Sequence, residues 1–214
     1  MSYFVQIFKE ISSGLGNTMI MFWVTLVVAI PLAAAIALIS LTNAKKVKAI
    51  LSGFIWIIRG SPLMLQLTFA MFGLPVILNI PFKNRLMVAL ITFIINYTAY
   101  FISIFENGLA IIPQNQWDAA NMLQISKTKT LFKIIYPQMF RNTIKTVENE
   151  TITLIKDTAL ISTVALNEIL RSAKEVLNRD LRIEPLLMVL VFYLFFSFLI
   201  IQAFKLIQRK LDCL

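Results

Sequence analysis

The sequence predicts an all-α integral membrane protein, and three observations carry that prediction. Apolar residues make up 58% of the 214 positions and charged residues only 14%, a balance far from that of a soluble domain. Five apolar runs approach the roughly 20 residues that a helix needs to cross a bilayer core. The runs are continuous instead of alternating, whereas the strands of a membrane barrel alternate.

The same composition removes other classes. The net charge of +9 is read as loop charge that orients the chain. Nucleic-acid binding would call for a basic patch on a soluble fold, and none is present. With one cysteine, Cys213, and no histidine, an internal disulfide and the usual zinc or copper constellations are excluded. The terminal Asp212-Cys213-Leu214 lacks the four-residue prenylation pattern. Residues 1–17 hold Lys9 as their one cation and show no cleavable signal peptide.

Each element follows in order. Phe4, Ile7, Phe8 and Ile11 fall at helical spacing, which predicts a short amphipathic lead-in at the interface, loosened at Gly14, Gly16 and Asn17. The first span is 18–41, uncharged, with a kink expected at Pro31 and the cations Lys45, Lys46 and Lys48 after it. The second span is 50–74, and Arg59-Gly60-Ser61-Pro62 breaks or bends it. A proline-containing turn is expected over 73–81. The third span, 86–105, carries a polar stripe of Asn96, Tyr97, Thr98 and Tyr100. The fourth, 143–166, is the least hydrophobic and holds Glu148, Glu150, Lys156 and Asp157. A mixed-charge, partly helical loop covers 168–184, and the fifth span is 185–207. No tandem repeat is visible.

Five spans place the termini on opposite sides, and the positive-inside rule chooses which. With the C-terminus inside, the inner side holds 11 cations and the outer side 7. N-terminus out and C-terminus in is therefore expected, with the 106–142 loop in the cytoplasm.

That loop is the longest polar interval of the chain. Pro113 can start a helix and Asn115 can cap it; Trp117, Ala120 and Leu123 repeat at helical spacing, with Asp118 in the first turn where the dipole favours an anion. Ser126 is a second expected cap. A second amphipathic helix is predicted over 127–136, with Leu131, Phe132, Ile135 and Met139 on one side and Pro137 stopping it. The small pair Ala119-Ala120 would let a partner surface approach closely.

These residues carry a resemblance. Ile112-Pro113, Gln116-Trp117, Asp118-Ala119-Ala120 and Tyr136-Pro137-Gln138 resemble the "EAA" loop of ABC importer permeases, in the polar amino-acid branch. Arg59-Gly60-Ser61-Pro62-Leu63 with Gln66, Asn96-Tyr97 with Ala99-Tyr100, and Asn149-Glu150 with Leu154 and Lys156-Asp157-Thr158 are similar to three further segments of that family, in order and spacing. The likeness runs over about 14–210. It departs at Ser103 (usually Glu), Glu106 (usually Arg), Gln124 (usually Gly) and Glu148 (usually Gly). The Gln124 change implies an altered turn between the two loop helices, and the changes at Ser103 and Glu106 bear on any ion pair made there.

The resemblance implies a type I ABC importer permease fold in a bacterial inner membrane, as one domain over 1–214. It implies a second permease subunit, alike or different, two cytoplasmic ATPase subunits that hold ATP and magnesium, and an extracytoplasmic binding protein. The loop would dock into the ATPase through Gln116, Trp117, Asp118, Ala119 and Ala120, braced by Phe132. No nucleotide-binding loop is present, so this chain is not itself an enzyme and holds no cofactor. Ionisable residues inside a membrane helix face a cavity or a partner. Glu150 and Asp157, seven apart, share nearly one face. Lys156 can take the carboxylate of an amino acid, Asp157 its amino group and Glu150 a polar or cationic side chain. Arg59 is a further candidate contact. The alternative is structural pairing among Lys156, Asp157 and Arg59. The rival function is a gradient-driven carrier or channel, but its inverted repeats are not seen.

Overall fold

A computed structural model describes residues 2–41 and 44–212, and the Cys213 reading falls outside it. Among the described residues every regular element is helical.

Helix α1 (Ser2–Ser12) buries Ile7 and Ile11 and leaves Phe4 and Phe8 outside, as its amphipathic spacing requires. Its buried face packs on Ile169, Ala173, Val176 and Val189. Gly14 joins it to α2 (Leu15–Ala37). A Cβ at Gly14 would lie 2.2 Å from the Glu168 carbonyl carbon, so only glycine permits this approach. Helix α2 continues through Pro31 as one element. Its Ala29, Ala33 and Ala37 are fully buried, a small-residue stripe that brings helices close in a membrane.

The second span is two helices. α3 (Lys45–Gly60) and the stretch 63–78, which comprises α4 (Leu63–Thr68), a π-helical turn (Phe69–Gly73) and α5 (Leu74–Leu78), meet at 97°. Proline disfavours helical backbone in the residue before it, and Ser61 is extended at φ −112°, ψ 143°. Gln66 repairs the break. Its amide donates to the Ile58 carbonyl at 2.7 Å and the Ser61 hydroxyl at 2.8 Å. The turn expected at 73–81 starts later, because Pro75 sits in the first turn of α5, where its missing N–H costs nothing. The chain reverses at Asn79, in the left-handed region.

Helix α6 (Arg85–Ala110), capped by Asn84, is the central post and is longer at both ends than the 86–105 expectation. Phe93, Tyr97, Phe101 and Phe105 stack along it at four-residue spacing, centroids 6.2–6.3 Å apart. It packs on α2, α3, α4 and α9. A Cβ at Gly108 would lie 2.3 Å from Thr143 Cγ2, which marks how closely α6 and α9 cross.

Helix α7 (Gln114–Met122) follows Pro113. α8 (Lys127–Thr130), a π-helical turn (Leu131–Ile135) and α9 (Tyr136–Asp157) then run on without interruption. Pro137 therefore does not stop the second loop helix. It occupies the first turn of α9, and the widened π turn just before it accommodates the ring and the absent N–H. Ser126 holds the cap position without a side-chain cap bond. Helix α9 passes into a 3₁₀ segment (Thr158–Val164) that ends at Ala165, φ 61°, so the regular α-helix of the fourth span ends at Asp157. α10 (Ile169–Asp180) is capped by the buried Glu168, which accepts from the Leu170 and Arg171 amides. α11 (Glu184–Asp212) closes the chain.

Among the described residues, three helical stretches are long and apolar enough to cross a membrane: 3–41, 85–110 and 184–211. The bent pair 45–60 with 63–78 makes a fourth if counted as one span. Helix α9, with its charged residues, is not among them, although it packs between α6 and α11.

Candidate functional site

Two regions collect the residues singled out by sequence. The first is α7 and the turn after it. Gln116, Asp118 and Ala119 are exposed, and Trp117 is half-buried. Ala120, at 2% exposure, faces inward and seats the helix. The small-residue pair thus divides, one alanine outward and one inward, as a 100° step requires. Phe132 is exposed and meets the Tyr136 ring edge-on at 5.3 Å. Tyr136 donates to the Ala34 carbonyl at 2.9 Å, which ties this surface to α2. Met122 and Leu123 are strongly exposed; the sequence reading passed over Met122 and placed Leu123 on one stripe with Trp117 and the buried Ala120. Their signal was the apolar pair at the end of a helix, just before a left-handed turn. That turn is Gln124, φ 53°. Glutamine here adopts a conformation that glycine would favour.

The second region is a cavity of about 480 Å³ at the α3–α4 break, facing α6 and the end of α9. Arg59, Glu150 and Asp157 line it; Lys156 does not. Lys156 is exposed on another face of α9, one residue and about 100° from Asp157. Tyr97 is almost fully buried, and its hydroxyl donates to Asp157 Oδ2 at 2.7 Å. Arg59 Nη1 donates to Ser103 Oγ at 2.6 Å, and the guanidinium lies 5.1 Å from the Tyr100 ring centroid. Ser61, Asn96 and Thr153 add polar atoms to the lining. Tyr97, Tyr100 and Ser103 stood in the sequence as a polar stripe and a departure, and the structure brings them to the charged groups. Helical phase alone pairs residues within one helix; it could not foresee Arg59 beside Ser103, 44 positions away.

Glu148, a departure from the resembling family, is 7% exposed and paired with Lys145 at 3.1 Å. A third cluster lies on α1 and α10. Arg179 bridges Glu10 at 2.9 Å and Asp180 at 2.7 Å, and Tyr3 donates to Asp180 at 3.0 Å. The Gln6 amide and the Arg179 guanidinium hold the Glu10 carboxyl below the usual carboxylate range, and Arg179 with Tyr3 does the same for Asp180.

The description "Binding-protein-dependent transport system inner membrane component" matches residues 12–212. The chain is 31% identical over 209 residues to the L-cystine transport system permease protein TcyB of Bacillus subtilis, covering 94% of this chain and 86% of that protein. It is 30% identical over 166 residues to the arginine transport system permease protein ArtQ of the same organism, covering 74% and 75%. A crystal structure of an amino acid ABC transporter with histidines superposes with a TM-score of 0.85 at 23% identity, over 97% of both chains. Inward-facing structures of the MetNI methionine ABC transporter reach 0.73 and 0.74 at 16% and 18% identity. The match over residues 12–212 and the 31% identity to a permease over 94% of this chain establish that it belongs to the family of inner membrane components of binding-protein-dependent transport systems.

Proposed function

We propose that this chain is the membrane-spanning subunit of an ATP-driven importer of polar amino acids, providing the translocation path and coupling it to a cytoplasmic ATPase. Family membership and relatives named as cystine, arginine and glutamine permeases support this reading. The observation that carries it is the α7 platform. An exposed helix bearing Gln116, Asp118 and Ala119 projects from an apolar bundle and is followed by exposed Met122 and Leu123. A surface of that kind needs a protein partner.

In this reading five segments cross the membrane, with α9 as the fifth, its charges turned toward a path instead of toward lipid. The N-terminus lies outside and the C-terminus inside a bacterial inner membrane. Two ATPase subunits with ATP and magnesium, a second permease subunit and an external binding protein complete the assembly. Gln116, Trp117, Asp118 and Ala119 engage the ATPase, Ala120 supports them from beneath and Phe132 braces the second helix. Arg59, Glu150 and Asp157 form the substrate cavity, and Lys156, exposed on another face of α9, stands outside it.

Asp118→Lys places a cation at the centre of the platform. It is expected to abolish transport and to loosen ATPase binding in pull-down from membranes, while insertion is unchanged. Normal coupled ATPase activity in this variant, or uptake that persists with no ATPase subunit present, would refute the coupling role.

A further inference from the structure

The cavity at the α3–α4 break holds an unequal set of charges. Glu150 and Asp157 bring two carboxylates and Arg59 brings one guanidinium. The other groups that approach, from α6 and the break itself, are neutral: Ser61, Asn96, Tyr97 and Tyr100. Lys156 is exposed and is not among the residues that line the cavity.

Arg59 is held by two neutral partners, the Ser103 hydroxyl at 2.6 Å and the Tyr100 ring at 5.1 Å. Both fix its position and neither cancels its charge. A guanidinium carries five N–H donors in a planar fork that suits a carboxylate. Across the cavity, Tyr97 fixes one oxygen of Asp157. A carboxylate offers about four lone-pair sites, so this bond orients Asp157 without using it up.

Charge balance then selects the ligand. At membrane depth an uncompensated ion is costly. A zwitterionic amino acid with a neutral side chain leaves one surplus negative charge in the cavity, and one with an acidic side chain leaves two. One with a cationic side chain leaves none. We propose that this cavity takes an amino acid of the cationic class, with its carboxylate on Arg59, its amino group on Asp157 and its side-chain cation on Glu150. Ser103 is then a positioning residue: it orients Arg59 and keeps the charge available. The proposal rests on reading the cavity as the substrate site.

The test is equilibrium binding of radiolabelled lysine, glutamine and glutamate to the purified permease with its ATPase subunits in lipid nanodiscs. Lysine is expected to bind at least about tenfold more tightly than the other two, the modest end of what one desolvated charge pair contributes. Glu150→Gln should erase that preference. Ser103→Glu places an acid within reach of Arg59 and should weaken lysine by about tenfold. Lys156→Gln should change nothing. Glutamine or glutamate binding as well as lysine, a preference that survives Glu150→Gln, or loss on Lys156→Gln but not on Ser103→Glu overturns the assignment of charges. If none of the three ligands binds the unmodified complex, or if binding ignores Glu150→Gln, Asp157→Asn and Ser103→Glu alike, the cavity is not the substrate site and the underlying reading falls with it.

Discussion

Gln124 shows how a single position departs from its relatives without leaving the fold. Its φ of 53° costs a side-chain-bearing residue roughly 1–2 kcal/mol that glycine does not incur. Gln124→Gly is therefore expected to raise stability by about 1 kcal/mol, the gain in strain offset in part by greater freedom of the unfolded chain. Thermal unfolding of the detergent-solubilised protein checks this; a lower midpoint would mean that the glutamine side chain makes a compensating contact. Candidate residues were legible where chemistry alone drew attention to them. Arg59, Glu150 and Asp157 stood out because charge in an apolar run demands a reason. Lys156 carried the same signal but turned away, because adjacent residues on a helix cannot share a face. Ser103 and Tyr97 were unreadable as partners, since their meaning lies in which helix faces them.

Among elements, the proline pair is instructive. Pro62 breaks its helix by 97° while Pro137 leaves its own running. The difference is what surrounds the ring. Ser61 goes extended, and Gln66 meets the loose polar groups. At Pro137 the preceding π turn opens the backbone instead. Sequence reading located both prolines but could not tell a break from a widened turn. The docking of α1 on α10 is a second element-scale matter. Glu10 and Asp180 have depressed pKa values in the folded protein. A carboxyl of this kind stabilises the fold above its unfolded pKa, and the contribution disappears as pH falls through the folded value. The protection of α1 amides, with the intrinsic pH dependence of exchange divided out, should thus fall below the usual carboxylate range, a quickened rate relative to the unfolded chain, and stay flat from there to neutrality. Arg179→Ala should produce the quickened rate at neutral pH, and α1 protection indifferent to both acid and Arg179 would discount the bridge.

For the molecule as a whole, the apolar helices were legible almost to their ends, because hydrophobic length is a property of the chain alone. The segment expected as the fourth span is different: α9 lacks the apolarity of a lone membrane helix and lies against its neighbours α6 and α11. The orientation proposed above is open to direct measurement. In a Cys213→Ser background, a cysteine at Asn121 should react with a membrane-impermeant maleimide only from the cytoplasmic side, and one at Asn178 only from outside. Labelling of both from one side would exclude an odd number of crossings between them.

The uninterrupted path from α8 through the π turn to α9 has a mechanical meaning. At 1.5 Å per residue it extends about 45 Å, from Lys127 beside the α7 platform to Asp157 in the cavity. In the reading proposed above it is a lever with one arm in the cytoplasm and the other against the substrate groups. About 30 Å of it lies beyond Pro137, so a tilt of only about 5° at the π turn would swing Asp157 by about 2.5 Å, nearly the reach of a hydrogen bond. The Tyr97 clasp on Asp157 is where such a stroke would first be felt.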